Sequence, residues 1–190
     1  KCKIKPGFDI AYLEAVRREF GDIVLMADAN SAYTLKDLDL FRRMDELGLL
    51  MIEQPLASDD IVDHAKLQSA IRTPVCLDES VDSTETARRA IELGSCRIIN
   101  IKVARVGGLT EARRLQALSA EHGVGCWCGG MVDAGVARGH NIAAATLPNY
   151  IYPNDIPSSD RYYAEDIVTP STFIDRNAKI QVPQRPGTGF

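Results

Sequence analysis

This 190-residue chain lacks paired metal-binding or disulfide-forming cysteines: Cys2, Cys76, Cys96, Cys126 and Cys128 are odd in number and none makes a CxxC pair. That pattern argues against a zinc knuckle or a disulfide framework and favours buried free thiols. Histidine is equally sparse. His64, His122 and His140 form no HxH or HExxH pair, so each reads as surface or core structure rather than a metallohydrolase ligand. No apolar run approaches the roughly 18–20 residues that cross a bilayer. The start, KCKIKPGFDI, lacks the tripartite layout of a secretory signal. A cytoplasmic protein without a membrane partner is the expectation. A formal net charge of −4, with pI near 5.4, leaves no basic footprint for nucleic acid. GxGxxG and Walker patterns are absent too, so Gly107 and Gly108 read as a tight loop before a helix rather than a phosphate cradle.

What is present is an ordinary globular composition, 45% hydrophobic and 25% charged, sufficient for one substantial core. Seven short apolar segments, CKI, IVLMAD, LLMIEQ, TPVCLDE, CRIINIK, VGCWCGG and NYIYP, read as strands. The longer stretches between them read as helices, and this alternation is the rhythm of βα units and a parallel sheet. The helix punctuation agrees. SAYTLKDLDLFRRMDELG starts after polar capping residues and stops at Gly48, DSTETARRAIELG stops at Gly94, and GGLTEARRLQALSAEHG ends at Gly123.

Charged residues fall in step with that rhythm. Lys3, Asp28, Glu53, Asp78 and Lys102 recur at intervals of about 25 residues, each at or near the carboxyl end of an expected strand, and one more step lands on Trp127. That interval is one strand, one helix and two short loops, so these residues occupy equivalent places in successive units. In a closed parallel barrel such places converge on one rim, where (β/α) barrels carry their chemistry. A single acid at a strand end is commonly a structural partner of a loop or helix terminus. Five ionisable groups in series are harder to explain that way. Three carboxylates brought together raise one another's pKa, and keeping all three ionised calls for a cation. Oxygen-only ligands suit a hard ion, Mg2+ ahead of Mn2+ or Ca2+, and the lack of His or Cys at these strand ends argues against zinc.

The lysines add a second element. Lys1 and Lys3 share one strand face, as do Asn100 with Lys102 and Asp28 with Asn30. Taken alone, KCKIK is a solvated edge strand. Beside a metal site it acquires a use, since a neighbouring ammonium, a dication and partial burial bring a lysine from about 10.4 to roughly 7–8, where it serves as a base.

The series KCKIKPG, ADAN, IEQPL, CLDES, NIKVARVGG and WCGGM resembles, in order and spacing, the barrel domain of the mandelate racemase and muconate lactonising branch of the enolase superfamily. Within it, the similarity is greatest to the o-succinylbenzoate synthase and N-acylamino acid racemase group. The resemblance runs from Lys1 to about Arg161 and implies a TIM-type (β/α)7β barrel, an α/β fold. It is incomplete here, because the capping domain and first strand that the family carries ahead of the KxK strand are not in this chain. Residues 1–154 would form the partial barrel and residues 155–190 a tail packing on its exterior.

The resemblance also implies roles. Lys3 and Lys102 are the acid/base pair flanking the substrate, with Lys1 as auxiliary cation; Asp28, Glu53 and Asp78 are the Mg2+ or Mn2+ ligands. Lysine bases with Mg2+ are general in enolase-superfamily sites. Asn30, Glu79, Asn100, Gly130, Met131 and Asp133 would support the ligands or bind substrate. Asp133 stands where relatives carry glutamate, and a helix N-cap is its alternative role. The implied activity is metal-dependent removal of the proton next to a carboxylate through an enediolate. Its outcome is dehydration to o-succinylbenzoate in menaquinone biosynthesis, with N-acylamino acid racemisation or a related epimerisation as the alternative. A non-catalytic barrel fragment is the alternative of another class. Partners would be a small carboxylate substrate, the absent N-terminal capping domain and further copies of the chain in a homo-oligomer. Without the cap, the piece alone is expected to be weakly active or inactive.

Overall fold

The computed structural model describes residues 1–187 and 189. Six parallel strands, β1 (Cys2–Lys3), β2 (Ala27–Asp28), β3 (Ile52–Glu53), β4 (Val75–Leu77), β5 (Ile98–Asn100) and β6 (Gly125–Trp127), lie side by side in chain order. Helices α1 (Ile10–Phe20), α2 (Leu38–Met44), α3 (Ile61–Ala70), α4 (Thr84–Leu93) and α5 (Leu109–Glu121) connect them, and α6 (Gly135–Ala145) follows β6. This is the expected parallel α/β barrel architecture in partial form. The paired strands are only two or three residues long because their ends rise at once into the loops. Ladder bonds continue past them, from Ile4 N–H to the Asp28 carbonyl and from Ala29 N–H to the Glu53 carbonyl.

Local chemistry explains the connections. In α4, the Ser83 hydroxyl accepts from Thr86 N–H at 3.2 Å, and Gly94 ends the helix in the left-handed region at φ 73°. The stretch expected as one helix before Gly48 is instead a short α2 flanked by 3-10 turns, Leu35–Asp37 and Asp45–Leu47, still stopping at Gly48 with φ 61°. The main core lies between the sheet and the helices and includes Leu13, Phe41, Leu67, Ile99 and Leu115. A second cluster, Met51, Cys76, Ile98 and Trp127, packs from alternate positions of neighbouring strands. Of the thiols, Cys2 is half-buried and the other four are buried, all free. Among the described residues, no helix is long and apolar enough to cross a membrane.

The seventh expected strand, NYIYP, is reduced to isolated parallel bridges, Cys126 with Tyr150 and Gly129 with Asp155. The reason is local. Pro153 has no N–H to give, and the Asn154 side chain takes the place of a backbone acceptor, receiving Cys128 N–H at 2.7 Å. The segment therefore bulges between its two points of contact. From Asp155 onward the chain does more than pack on the exterior. Ile156, Pro157, Tyr162 and Ile180 line a cavity of about 1130 Å3 shared with Lys1 and Lys3. Arg138 on α6 anchors this tail from a fully buried position. It donates to the Pro157 carbonyl at 2.8 Å and the Ser159 hydroxyl at 3.1 Å, and pairs with Asp166 at 2.9 Å.

Candidate active site

Strand register brings the charged series together. Lys3 pairs with Asp28 across β1 and β2, and Asp28 with Glu53 across β2 and β3. Glu53 lies opposite Cys76, so Asp78, two residues further along β4, points to the same face one layer higher. Lys102 follows two residues after Asn100 at the end of β5. All three carboxylates are almost completely buried, Asp28 at 1%, Glu53 at 0% and Asp78 at 1% exposure. The two candidate acid/base lysines flank them in sheet order, Lys3 on β1 and Lys102 beyond β5.

Buried carboxylates need partners, and here the lysines supply them. Lys3 Nζ donates to Asp28 Oδ2 and to Asn30 Oδ1, both at 2.6 Å. Lys1 Nζ sits between two acids, 2.9 Å from Asp28 Oδ2 and 2.8 Å from Glu53 Oε2, with its ammonium 5.0 Å from the Trp127 ring centre. The approach to Glu53 is an ion pair without hydrogen-bond direction, and Glu53 Oε2 is left buried with no hydrogen bond. Lys102 Nζ donates to Asp78 Oδ2 at 2.7 Å, while Arg105 takes Asp78 Oδ1. Arg105 is missing from the sequence-derived set. Its only signal is a place one turn beyond Lys102 in KVARVGG, and that spacing does not show where a loop guanidinium will point.

The electrostatics follow from these contacts. Burial raises the Glu53 carboxyl, the Asp28 charge raises it further, Lys1 opposes both and Asp78 adds to the rise, leaving it near about 7. Burial also acts to raise Asp28, but the Lys3 and Lys1 ammonium groups outweigh it and hold that carboxyl below the usual range. Burial alone would lower Lys1; Glu53 and Asp28 overcome it and raise the group above the ordinary lysine range. Lys1 is thus a fixed positive charge.

Among the described residues, no three His, Cys, Asp or Glu side chains stand grouped to hold a metal, because Lys1 lies between Asp28 and Glu53 while Lys102 and Arg105 occupy Asp78. The donors nevertheless suit a hard cation. They are all carboxylate oxygens at one rim, and Glu53 Oε2 is a buried oxygen without a hydrogen bond. Lys3 is 64% exposed at its side chain.

The remaining candidate residues stand around the same rim. Asn30 Nδ2 donates to Glu79 Oε1 at 2.9 Å, tying the loop after β2 to the loop after β4. Asn100 Nδ2 donates to Glu53 Oε1, and Asn100 Oδ1 accepts from Gly129 N–H at 2.7 Å. Gly130 lines the cavity and donates its N–H to the Asp155 carbonyl at 2.6 Å; Met131 is 41% exposed. Asp133 turns inward instead. Its Oδ2 accepts from Met131 N–H at 2.8 Å and Asn141 Nδ2 at 2.9 Å, which staples the loop. It is not the helix cap, since Ala134 holds that position in α6. The histidines are structural or peripheral: His64 is buried in α3, His122 is exposed and His140 half-buried.

The sequence model of a family described as Enolase C-terminal domain-like matches residues 1–190. An o-succinylbenzoate synthase of Geobacillus kaustophilus is 57% identical over 190 residues, covering 100% of this chain and 50% of that protein. An N-succinylamino acid racemase of Amycolatopsis sp. is 48% identical over 190 residues, covering 100% of this chain and 51% of its own length. A crystal structure of an enolase-superfamily member from Listeria innocua superposes with a TM-score of 0.93 at 46% identity, over 98% of this chain and 50% of that one. The chain spans about half the length of the curated relatives it matches.

Proposed function

This chain belongs to the enolase C-terminal domain-like family, and on that premise we propose that it carries the acid/base lysines and metal-binding carboxylates of an enzyme that removes the proton next to a substrate carboxylate. Dehydration to o-succinylbenzoate is the reaction favoured, in keeping with the name of the 57% identical relative. The observation that carries the reading is one row of side chains: three buried carboxylates on adjacent strands, with Lys3 at one flank and Lys102 at the other.

Asp28, Glu53 and Asp78 would hold the ion, Mg2+ or Mn2+. When bound, it disperses the charge that develops on the substrate carboxylate as the adjacent C–H bond breaks. Lys3 is the base. Its Nζ lies against Asp28 Oδ2 and Asn30 Oδ1, so the base stands directly beside a carboxylate that would hold the ion. Lys3 then takes the α-proton, an enediolate forms, and a hydroxyl leaves the neighbouring carbon as Lys3 returns the proton to it. Lys1, held charged between Asp28 and Glu53 over Trp127, keeps a positive field beside Lys3. Lys102 stabilises charge from the other flank.

The same two-sided arrangement supports a second reading. With Lys102 as proton donor, the enediolate is reprotonated on its far face and the product is the racemised substrate, consistent with the name of the Amycolatopsis relative. A product assay separates the two, because dehydration yields an aromatic product and racemisation yields none.

The test is exchange of the substrate α-proton with deuterium from solvent, followed by NMR in the intact protein. Lys3→Ala abolishes exchange in this reading, and near-normal exchange in that variant would exclude Lys3 as the base. Absence of both exchange and dehydration product in the unaltered protein, with metal supplied, would favour a non-catalytic barrel.

A further inference from the structure

Gln54 directly follows Glu53 and has the least solvent exposure possible, 0%. Its backbone sits at φ 38°, a region that residues with a Cβ keep only where their surroundings hold them there. The side chain shows what holds it. Oε1 accepts from Asp78 N–H at 3.0 Å and from Ser80 N–H at 3.2 Å. Nε2 donates to the Ser80 hydroxyl at 2.7 Å and to the Leu56 carbonyl at 3.1 Å. Every hydrogen-bonding position of the amide is filled. The backbone of the same residue adds two further ties, its N–H to the Cys76 carbonyl at 2.8 Å and its carbonyl to Ser31 N–H at 2.8 Å. One residue thus connects the loop after Asp28, the loop after Glu53 and the loop that carries Asp78.

We propose that Gln54 is a positioning residue for the metal site: its buried amide fixes the backbone of Asp78 against that of Glu53, setting the separation of two carboxylates that must close on one ion. The proposal rests on the metal-binding reading given above. An amide suits this task because it meets two N–H donors and two acceptors at once without adding charge beside three acids. Groups that orient metal ligands affect affinity by about 10–100-fold when removed.

A built-in control separates positioning from general stability. Gln68 is a second buried amide, on α3, and it clamps the opposite end of β4. Its Oε1 accepts from Val75 N–H at 2.7 Å and its Nε2 donates to the Thr73 carbonyl at 3.3 Å. Gln54→Met and Gln68→Met remove comparable buried amides, one at the rim and one at the base.

The experiment is titration of Mn2+ into the intact protein, with free Mn2+ read by EPR and thermal unfolding followed in parallel. Gln54→Met is expected to weaken Mn2+ binding by about tenfold or more, while Gln68→Met lowers thermal stability and leaves affinity within about twofold of the unaltered protein. Ser80→Ala, which removes only one partner of Nε2, is the milder second variant and should weaken binding in the same direction. Equal affinity in Gln54→Met and the unaltered protein overturns the proposal. So does equal weakening by Gln68→Met. Should Gln54→Met not fold, unchanged affinity in Ser80→Ala overturns it. Failure of the unaltered protein to bind Mn2+ is a different result, which removes the metal-binding reading itself and this inference with it.

Discussion

Asn100 Nδ2 donates to Glu53 Oε1 at 2.8 Å, reaching from β5 past β4 to β3 across the interior face of the sheet. The other end of the amide receives Gly129 N–H, so one side chain joins the central acid to the loop after β6. Both partners are buried. Asn100→Leu keeps approximate volume but strands a carboxylate oxygen and an N–H, each at a cost of roughly 1–3 kcal/mol. Urea unfolding should show a loss in that range or above. A loss below about 0.5 kcal/mol, the size of a neutral surface change, would mean that the amide does not hold Glu53.

How much of this site was legible beforehand depends on the kind of information each residue carries. The spacing of about 25 residues translated directly into register, Lys3 against Asp28 and Asp28 against Glu53, because a βα unit has a nearly fixed length and side chains alternate along a strand. Strand faces were therefore readable. Rotamers were not: nothing in the sequence says that Lys1 settles between Asp28 and Glu53, or that Arg105 folds back onto Asp78. The seventh strand was overread for the opposite reason. NYIYP has the apolar, β-branched look of a strand, yet Pro153 and the Asn154 side chain interrupt its ladder. Asp133 followed a motif position whose neighbour Asn141, in the second turn of α6, draws the carboxylate inward.

Gly129 is needed for space rather than for a special backbone angle. A Cβ there would lie 2.6 Å from both terminal atoms of Asn100 and 2.9 Å from Lys102 Cε. Gly129→Ala must push Lys102 away from Asp78 or Asn100 away from Glu53, and a displacement of that size is expected to lower kcat by about 100-fold. Gly125→Ala is the comparison, since its Cβ would meet Tyr152 and Ile151 at the opposite end of β6. That change should reduce stability and leave kcat near normal. Steady-state kinetics on both variants, with circular dichroism to verify folding, decides the matter; equal losses of kcat would show that crowding at the rim has no special effect.

His64 makes stability depend on pH away from the acid cluster. Its ring is buried in α3, with Nδ1 2.6 Å from the Asp60 carbonyl and Nε2 accepting Leu56 N–H at 3.2 Å. Those partners fix the neutral form with the proton on Nδ1, because a protonated ring would aim a second N–H at the Leu56 N–H. Burial lowers the imidazole below its ordinary value, and the Asp60 contact only partly offsets this. With the folded value below the unfolded value near 6.5, the unfolded chain binds more protons as pH falls. The contribution is therefore complete above about 6.5 and declines as pH drops towards the folded value, at a slope of at most about 1.4 kcal/mol per pH unit. In urea unfolding between pH 8 and pH 5 the unaltered protein should lose stability relative to His64→Gln as pH falls, since a neutral amide has nothing to titrate; Glu53, raised to about 7, acts in the opposite sense in both proteins and cancels from the difference. If the variant and the unaltered protein lose stability in parallel over that window, the source of the dependence lies elsewhere and the ring is not held neutral by its two backbone partners.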